Sequence, residues 1–295
     1  MSSPIEKLAV FAAPGVFVVL WASGFIGAKF GLPYAEPMTF LTIRMAAVAF
    51  LIGVVIVLTR PPWPSRQDVL HSAITGVFVH GIYLGGVFVS IYHHLPAGLA
   101  ALVVSLQPLL TATLANRWLG ERVIPRQWAG LALGVIGVAL VVQGKASGET
   151  TALGWTAAVV GLIGMTIGTL YQKRFGGSID WRPGFLIQYA AAGLVLAIAA
   201  LLFETHTVQW TAEFVFALAW LVIVLSFGAI WLLYYLIRRQ AAARVVSLFY
   251  LTPPFTALMA YGAFGERLEP LALVGMAVCV AGVFLVNWRV GAPQS

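Results

Sequence analysis

Few side chains in this chain combine reactive or polar chemistry with a position deep in an apolar stretch. His80 and Tyr83 bring an imidazole and a phenol to one helix face, because residues three apart are neighbours on a helix. Gln107 carries two donors and an acceptor beside Pro108. Trp21 and Tyr250 add flat aromatic faces with a polar edge. Arg44 is a permanent cation that can hold a carboxylate through two parallel hydrogen bonds. Trp21, His80, Tyr83, Gln107 and Tyr250 are therefore the candidate wall of a substrate pocket, with Arg44 as the candidate carboxylate contact. The plainer alternatives stay open: core packing for the aromatics, a helix-to-helix hydrogen bond for His80, snorkelling or bonding to a neighbouring helix end for Arg44.

Other chemistries find no support. His93 and His94 are adjacent, so on a helix they diverge by about 100°, and zinc needs at least three protein ligands. No Gly-x-Ser-x-Gly elbow or phosphate-binding glycine loop is present. The one cysteine, Cys279, sits in an apolar run and reads as small filler rather than a reactive thiol. The net charge is +7 and the pI near 9.8, yet no basic run points to nucleic acid. An enzyme, a cofactor and a bound metal are not expected.

The elements that must position these residues follow from composition. The chain has 295 residues, 61% hydrophobic and only 9% charged, with a mean hydropathy of +0.95. A soluble domain carries about 25% charged residues, so this chain could not wet its own surface. Crossing a bilayer takes roughly 20 apolar residues per helix. Ten such runs are expected: 8–28, 38–58, 70–91, 97–116, 127–143, 153–172, 184–203, 214–236, 243–263 and 270–288. The first, though preceded by Lys7, is too long for a signal peptide and is expected to be retained. The fold class is an all-α integral membrane protein, one bundle without a soluble domain.

Basic residues orient the bundle, since cytoplasmic loops are enriched in Lys and Arg. With the N-terminus inside, thirteen fall on the cytoplasmic side, among them Arg60, Arg122, Arg126, Lys173, Arg238 and Arg244. Only Lys29, Lys145 and Arg267 fall outside. Both termini are expected in the cytoplasm. Trp63, Trp118, Trp128 and Trp181 read as interfacial anchors.

The second half re-uses the first. Leu119-Gly-Glu-Arg returns as Phe264-Gly-Glu-Arg at an offset of 145, which also pairs Pro108 with Pro253, Gly130 with Gly275 and Gly137 with Gly282. An offset of 144 pairs Gly24 with Gly168, Lys29 with Lys173 and Arg44 with Gln188. Each unit, 1–145 and 146–295, then holds five helices. Five is odd, so the second copy is expected upside down, an arrangement of secondary transporters in which one half rocks against the other. Glu121-Arg122 and Glu266-Arg267 read as helix-end and gate-hairpin structure. Pro108, Pro253 and Pro254 remove donors near mid-span and are expected to kink their helices, freeing the carbonyls of Val104, Phe249 and Tyr250. Gly81 and Gly85 form a small surface suited to close helix contact.

The motifs Trp21-Ala-Ser-Gly-Phe, Leu95-Pro-Ala-Gly-Leu-Ala-Ala-Leu, Gln107-Pro-Leu, Leu119-Gly-Glu-Arg and Gly130-Leu-Ala-Leu-Gly-Val-Ile-Gly resemble the EamA transporters. These belong to the drug/metabolite transporter superfamily, and within it the likeness runs toward YddG-type aromatic amino acid exporters. Tyr250-Leu-Thr-Pro-Pro-Phe-Thr-Ala through Gly265-Glu-Arg repeats the pattern, so the resemblance spans nearly the whole chain. It implies a ten-helix bacterial inner-membrane permease that exports amino acids or related metabolites. A nucleoside, vitamin, sugar derivative or drug is the alternative cargo, and a structural or signalling bundle the alternative class. All ten acidic residues lie in loops or at helix ends, so proton coupling through a buried carboxylate is disfavoured. Downhill export and coupling through His80 both remain. The expected partners are the lipid bilayer and a small-molecule substrate, with no nucleic acid. The oligomeric state is not written in the sequence, and a monomer satisfies it.

Overall fold

The computed structural model describes residues 4–95, 97–120, 123–142, 151–177, 179–264 and 270–288. In hydrocarbon every backbone polar group must be satisfied within the chain, and helices do this segment by segment. The described residues are accordingly helical almost throughout. α1 (Pro4–Gly31) and α2 (Pro37–Thr59) are long rods. α3 (Arg66–Gly76) passes through π-helical turns at Val77–Ile82 into α4 (Tyr83–Tyr92). α5 (Ala97–Val104), α6 (Gln107–Leu119) and α7 (Pro125–Val142) follow. α8 (Ala152–Phe175) and α9 (Trp181–Phe203) are again long. α10 (Ala212–Trp220) continues through π-helical turns at Leu221–Ala229 into α11 (Ile230–Arg239). α12 (Ala242–Ser247), a 3-10 turn at Leu248–Leu251, α13 (Thr252–Phe264) and α14 (Pro270–Asn287) complete the chain.

Among the described residues seven helical segments, from Ala12–Gly31 to Pro270–Asn287, are long and apolar enough to cross a membrane. The other three expected runs coincide with helix, but two are interrupted, at residues 105–106 and 248–251. The prolines explain these interruptions. Pro108 is the second residue of α6, and Pro253 and Pro254 are the second and third of α13. At those positions the missing N–H is one that a helix start leaves unpaired anyway. Instead of kinking a continuous rod, the prolines start new helices.

Regularities recur along the chain. The two π-helical stretches begin at Val77 and Leu221, 144 residues apart, and α6 and α13 begin at Gln107 and Thr252, 145 apart. α8 packs on the first π-helical stretch and α1 on the second. α6 packs on α8 and α13 on α1, while α2 lies along α9 and α7 along α14.

The α7–α14 seam is glycine-built. A Cβ at Gly130 would collide with the Gly282 carbonyl and Val286, and one at Gly137 with the backbone of Cys279 and Gly275. Contacts rise along α7 as they fall along α14, so these helices run antiparallel. The expected small-residue surface at Gly81 and Gly85 is displaced. Gly81 faces open space and Gly85 makes ordinary contacts, whereas Gly86 meets Ala157 and Gly161 backbone-to-backbone. The π-helical turns just before it shift the register of the face that reaches α8.

At one end, α2 and α9 exchange carboxylates. Glu204 accepts from the amides of Met38 and Thr39, each at 2.7 Å, and caps α2, whose own N-cap, Glu36, makes no side-chain cap bond. Glu36 in turn accepts from the amide of Thr205 at 2.7 Å and from its hydroxyl at 2.6 Å. These bonds hold the Glu36 carboxyl below its ordinary range. Contacts Met38–Glu204 and Met45–Gly193 again mark an antiparallel pair. Glu121-Arg122 and Glu266-Arg267, read as gate hairpins, lie outside the described residues.

Two outcomes are expected. Gly130→Val should cost about 1–3 kcal/mol by overpacking the seam, read as lower thermal stability in detergent, whereas Gly53→Ala, where a Cβ meets nothing, should not. A carboxyl with a depressed folded-state pKa stabilises above its unfolded value and loses that contribution as pH falls through the folded one. The stability gap between wild type and Glu36→Gln should therefore be present at pH 7 and shrink as pH drops below about 4.3, the ordinary glutamate value.

Candidate functional site

α1, α2, the α3–α4 rod and the α10–α11 rod bring three of the six candidate residues, Trp21, Arg44 and Tyr83, to one cavity. Trp21 of α1 lies nearly parallel to Tyr83 of α4, with ring centroids 6.2 Å apart and planes 12° from each other. Phe249 closes on Trp21 edge-on at 5.0 Å, and Phe17 lies tilted against it at 5.4 Å. Such offset and edge arrangements suit the ring quadrupole. Trp21, Tyr83 and Arg44 share a narrow cavity of about 40 Å³, otherwise walled by apolar residues such as Phe25, Leu221 and Leu225.

Arg44 is 3% exposed, so it does not snorkel. Its Nη2 donates to Ser226 Oγ at 3.2 Å, and Ser226 Oγ donates to the Leu221 carbonyl at 3.1 Å, five residues back along the π-helical turn. Its Nε has no partner, and no described acidic side chain pairs with it. A cation out of water without a counter-charge is expensive. Its unused N–H donor is thus left without an anion among the described residues.

His80 stacks on Tyr189 of α9, centroids 4.2 Å apart. Both ring nitrogens of His80 and the hydroxyl of Tyr189 are buried with no hydrogen bond of regular geometry, although Gln188 lies near enough to act on His80 and Ser226 on Tyr189. The π-helical turn sends His80 toward α9 and Tyr83 toward α1, so the two do not share the face expected of them. Arg44 lies within electrostatic range of His80, Tyr83 and Tyr189 and links the two sides.

Gln107 and Tyr250 sit elsewhere. Gln107 Nε2 donates to Thr169 Oγ1 of α8 at 3.2 Å, and its carbonyl oxygen is buried and unpartnered, like the hydroxyl of Thr111 a turn on. Tyr250 packs its ring over Gly134, at the α7–α14 seam. Phe249, its neighbour, occupies the place beside Trp21 that Tyr250 was expected to take.

Sequence reasoning did not single out Tyr189, Ser226 or Tyr234 and treated Gln188 only as the counterpart of Arg44. Tyr234 donates to Gln188 Oε1 at 2.9 Å, and Gln188 Nε2 to Gln172 Oε1 at 3.4 Å. Gln188 and Tyr189, adjacent polar groups in an otherwise apolar run, were the available signal. The three hydrogen-bonded residues border a second, larger cavity of about 290 Å³ whose rim carries Asp180 and Arg238. Lys173 Nζ donates to the carbonyls of Ile237 and Gln240, both at 2.5 Å, and so ties the end of α11 to α8.

The EamA-like transporter family profile matches the chain twice, over residues 10–143 and 152–288. The chain is 27% identical to the "Uncharacterized inner membrane transporter YedA" of Escherichia coli K12, over 96% of this chain and 92% of that protein. It is 29% identical to a "Probable terminal-alkyne amino-acid exporter" of Streptantibioticus cattleyicolor, covering 92% and 91%. It is 27% identical to a "Probable amino-acid metabolite efflux pump" of E. coli K12, covering 92% and 94%. A solved crystal structure superposes with a TM-score of 0.78 at 20% identity, over 93% of this chain and 95% of its own.

The placement of the two aromatic neighbours has a measurable outcome. Phe249→Ala should remove about 3–5 kcal/mol of packing and lower the melting temperature in detergent. Tyr250→Phe, which deletes an unpartnered buried hydroxyl, should leave it unchanged or raise it.

Proposed function

We propose that this chain, which belongs to the EamA-like transporter family, exports neutral amino acids with aromatic or large apolar side chains across the bacterial inner membrane. As a multi-pass helical member of a transporter family it is a transporter rather than an enzyme. The reading takes it as ten spans in two inverted five-helix halves, 1–145 and 146–295, with both termini cytoplasmic, working by alternating access. Three observations support that: the recurring offsets of 144 and 145 residues, the antiparallel packing of α2 on α9 and α7 on α14, and the interruptions at matching positions. The relatives named as amino-acid exporters support the substrate class.

The observation that carries the substrate reading is Arg44, buried beside Trp21 and Tyr83 with no acidic partner among the described residues. A substrate carboxylate would supply the missing anion, and the aromatic pair would take an apolar side chain. His80 and Tyr189, whose nitrogens and hydroxyl make no hydrogen bond of regular geometry, would satisfy the ammonium or the remaining carboxylate lone pairs. Gln107 and Tyr250 belong to the same path but flank it, at α8 and at the α7–α14 seam. Pro108, Pro253 and Pro254 set the helix breaks around it. With no described carboxylate inside the bundle, export down a concentration gradient is the simplest coupling.

Purified protein in proteoliposomes should release preloaded phenylalanine, leucine or tryptophan faster than protein-free vesicles, and unlabelled neutral amino acids should compete. Transport of nucleosides or sugars with no competition by any amino acid would overturn the substrate class. Arg44→Gln should keep the fold but cut transport about tenfold to a hundredfold, the weight of one charge-assisted contact.

A further inference from the structure

The two cavities occupy corresponding places in the repeat. At an offset of 144, Ala28 answers to Gln172, Arg44 to Gln188 and Val87 to Trp231. The first of each pair lines the small cavity and the second lines the large one. Their chemistry differs sharply. Apart from Arg44 and the rings of Trp21 and Tyr83, the small cavity is hydrocarbon. The large one, about 290 Å³, combines aromatic walls, Trp181 and Trp231, with a carboxylate, Asp180, and a guanidinium, Arg238. That volume stands near the lower edge of small-molecule pockets, roughly 300 Å³.

Its groups are held in place. Asp180 caps α9, accepting from the Arg182 amide at 2.9 Å, and pairs with the Arg182 guanidinium at 2.6 Å. Arg238 Nη2 is fixed to the carbonyls of Gly176 at 2.7 Å and Ile179 at 2.6 Å. Inside, Ser72 is 2% exposed, lines the cavity and has no hydrogen-bond partner. A pocket with fixed charges of both signs, an aromatic body and an unused buried hydroxyl is complementary to a zwitterion with an apolar side chain.

We propose that this cavity is a second substrate site, a cytoplasmic loading vestibule distinct from the Arg44 cluster. Asp180 receives the ammonium, Arg238 the carboxylate, and Trp181 and Trp231 flank the side chain. This rests on the amino-acid exporter reading and on the basic rim lying inside. Its counterpart, the deeper Arg44 cavity, carries a guanidinium but no carboxylate, so only the vestibule offers a fixed charge to each end of the zwitterion.

The test is protection of an introduced thiol. Ser72→Cys in a Cys279→Ala background is reconstituted and alkylated with a maleimide in the presence of L-phenylalanine, alongside a transport assay on the same preparation. Phenylalanine should slow alkylation at least fivefold and saturably. The protection should vanish with Asp180→Asn or Arg238→Gln and persist with Tyr83→Ala in the other cluster. Should Ser72→Cys fail to fold, Ile179→Cys, at a second residue lining the cavity, serves as the reporter. A preparation that transports phenylalanine without protecting the thiol overturns the vestibule and leaves the exporter reading standing. Protection that survives both charge variants also overturns it, because the thiol would then be shielded by closure around the deeper cluster. Protection without any amino acid transport would uphold the site and sink the exporter reading, and loss of both would remove both.

Discussion

Backbone amides and carbonyls cannot be left bare in hydrocarbon, and the departures from regular helix here follow from that constraint. The π-helical turns at Val77–Ile82 and Leu221–Ala229 hold buried residues, and the break before Gln107 and the 3-10 turn before Thr252 lie among them too. Each irregularity sits where the bundle can supply partners. Ser226 shows how: its hydroxyl takes up the Leu221 carbonyl and also receives Arg44. The loosened backbone and the buried cation are satisfied by the same side chain, so the site depends on the helix being irregular where it is.

Helix seams follow a complementary rule. Without a strong hydrophobic force between helices in lipid, close packing and hydrogen bonds must hold them. α7 and α14 use glycines to bring backbone against backbone, while α2 and α9 use Glu36 and Glu204 to close each other's ends. At the opposite ends, Lys173 and Arg238 perform a comparable task by gathering the free carbonyls of α11 and of the turn before α9. Much of the charge in the chain is thus spent on helix termini.

Membrane character, the long helices and the likeness of the two halves were legible because they rest on run length and spacing. Trp21, Tyr83 and Arg44 could be found for the same reason: a polar or aromatic group in an apolar run has few explanations. The sequence could not reveal the π-helical turns, which swing His80 from the Tyr83 face toward Tyr189 and move the close glycine contact from Gly81 and Gly85 to Gly86. Nor could it rank Phe249 above Tyr250, since a 3-10 turn re-aims adjacent side chains by an amount no periodicity encodes. Tyr189 and Ser226 went unnoticed because their value lies in what they face across the bundle.

The self-pairing of α2 with α9 and of α7 with α14 bears on motion. In the two-copy reading, a helix that packs on its own counterpart straddles the axis relating the copies, where any rotation of one half against the other produces the least displacement. If the halves rock as proposed above, the glycine seam and the carboxylate exchange are the contacts placed to stay intact, acting as bearings. Arg44 and Tyr189 belong to that α2–α9 pair, whereas Trp21 and Tyr83 stand on α1 and α4, so in such a motion the cluster would bridge the bearing and the helices packed beside it.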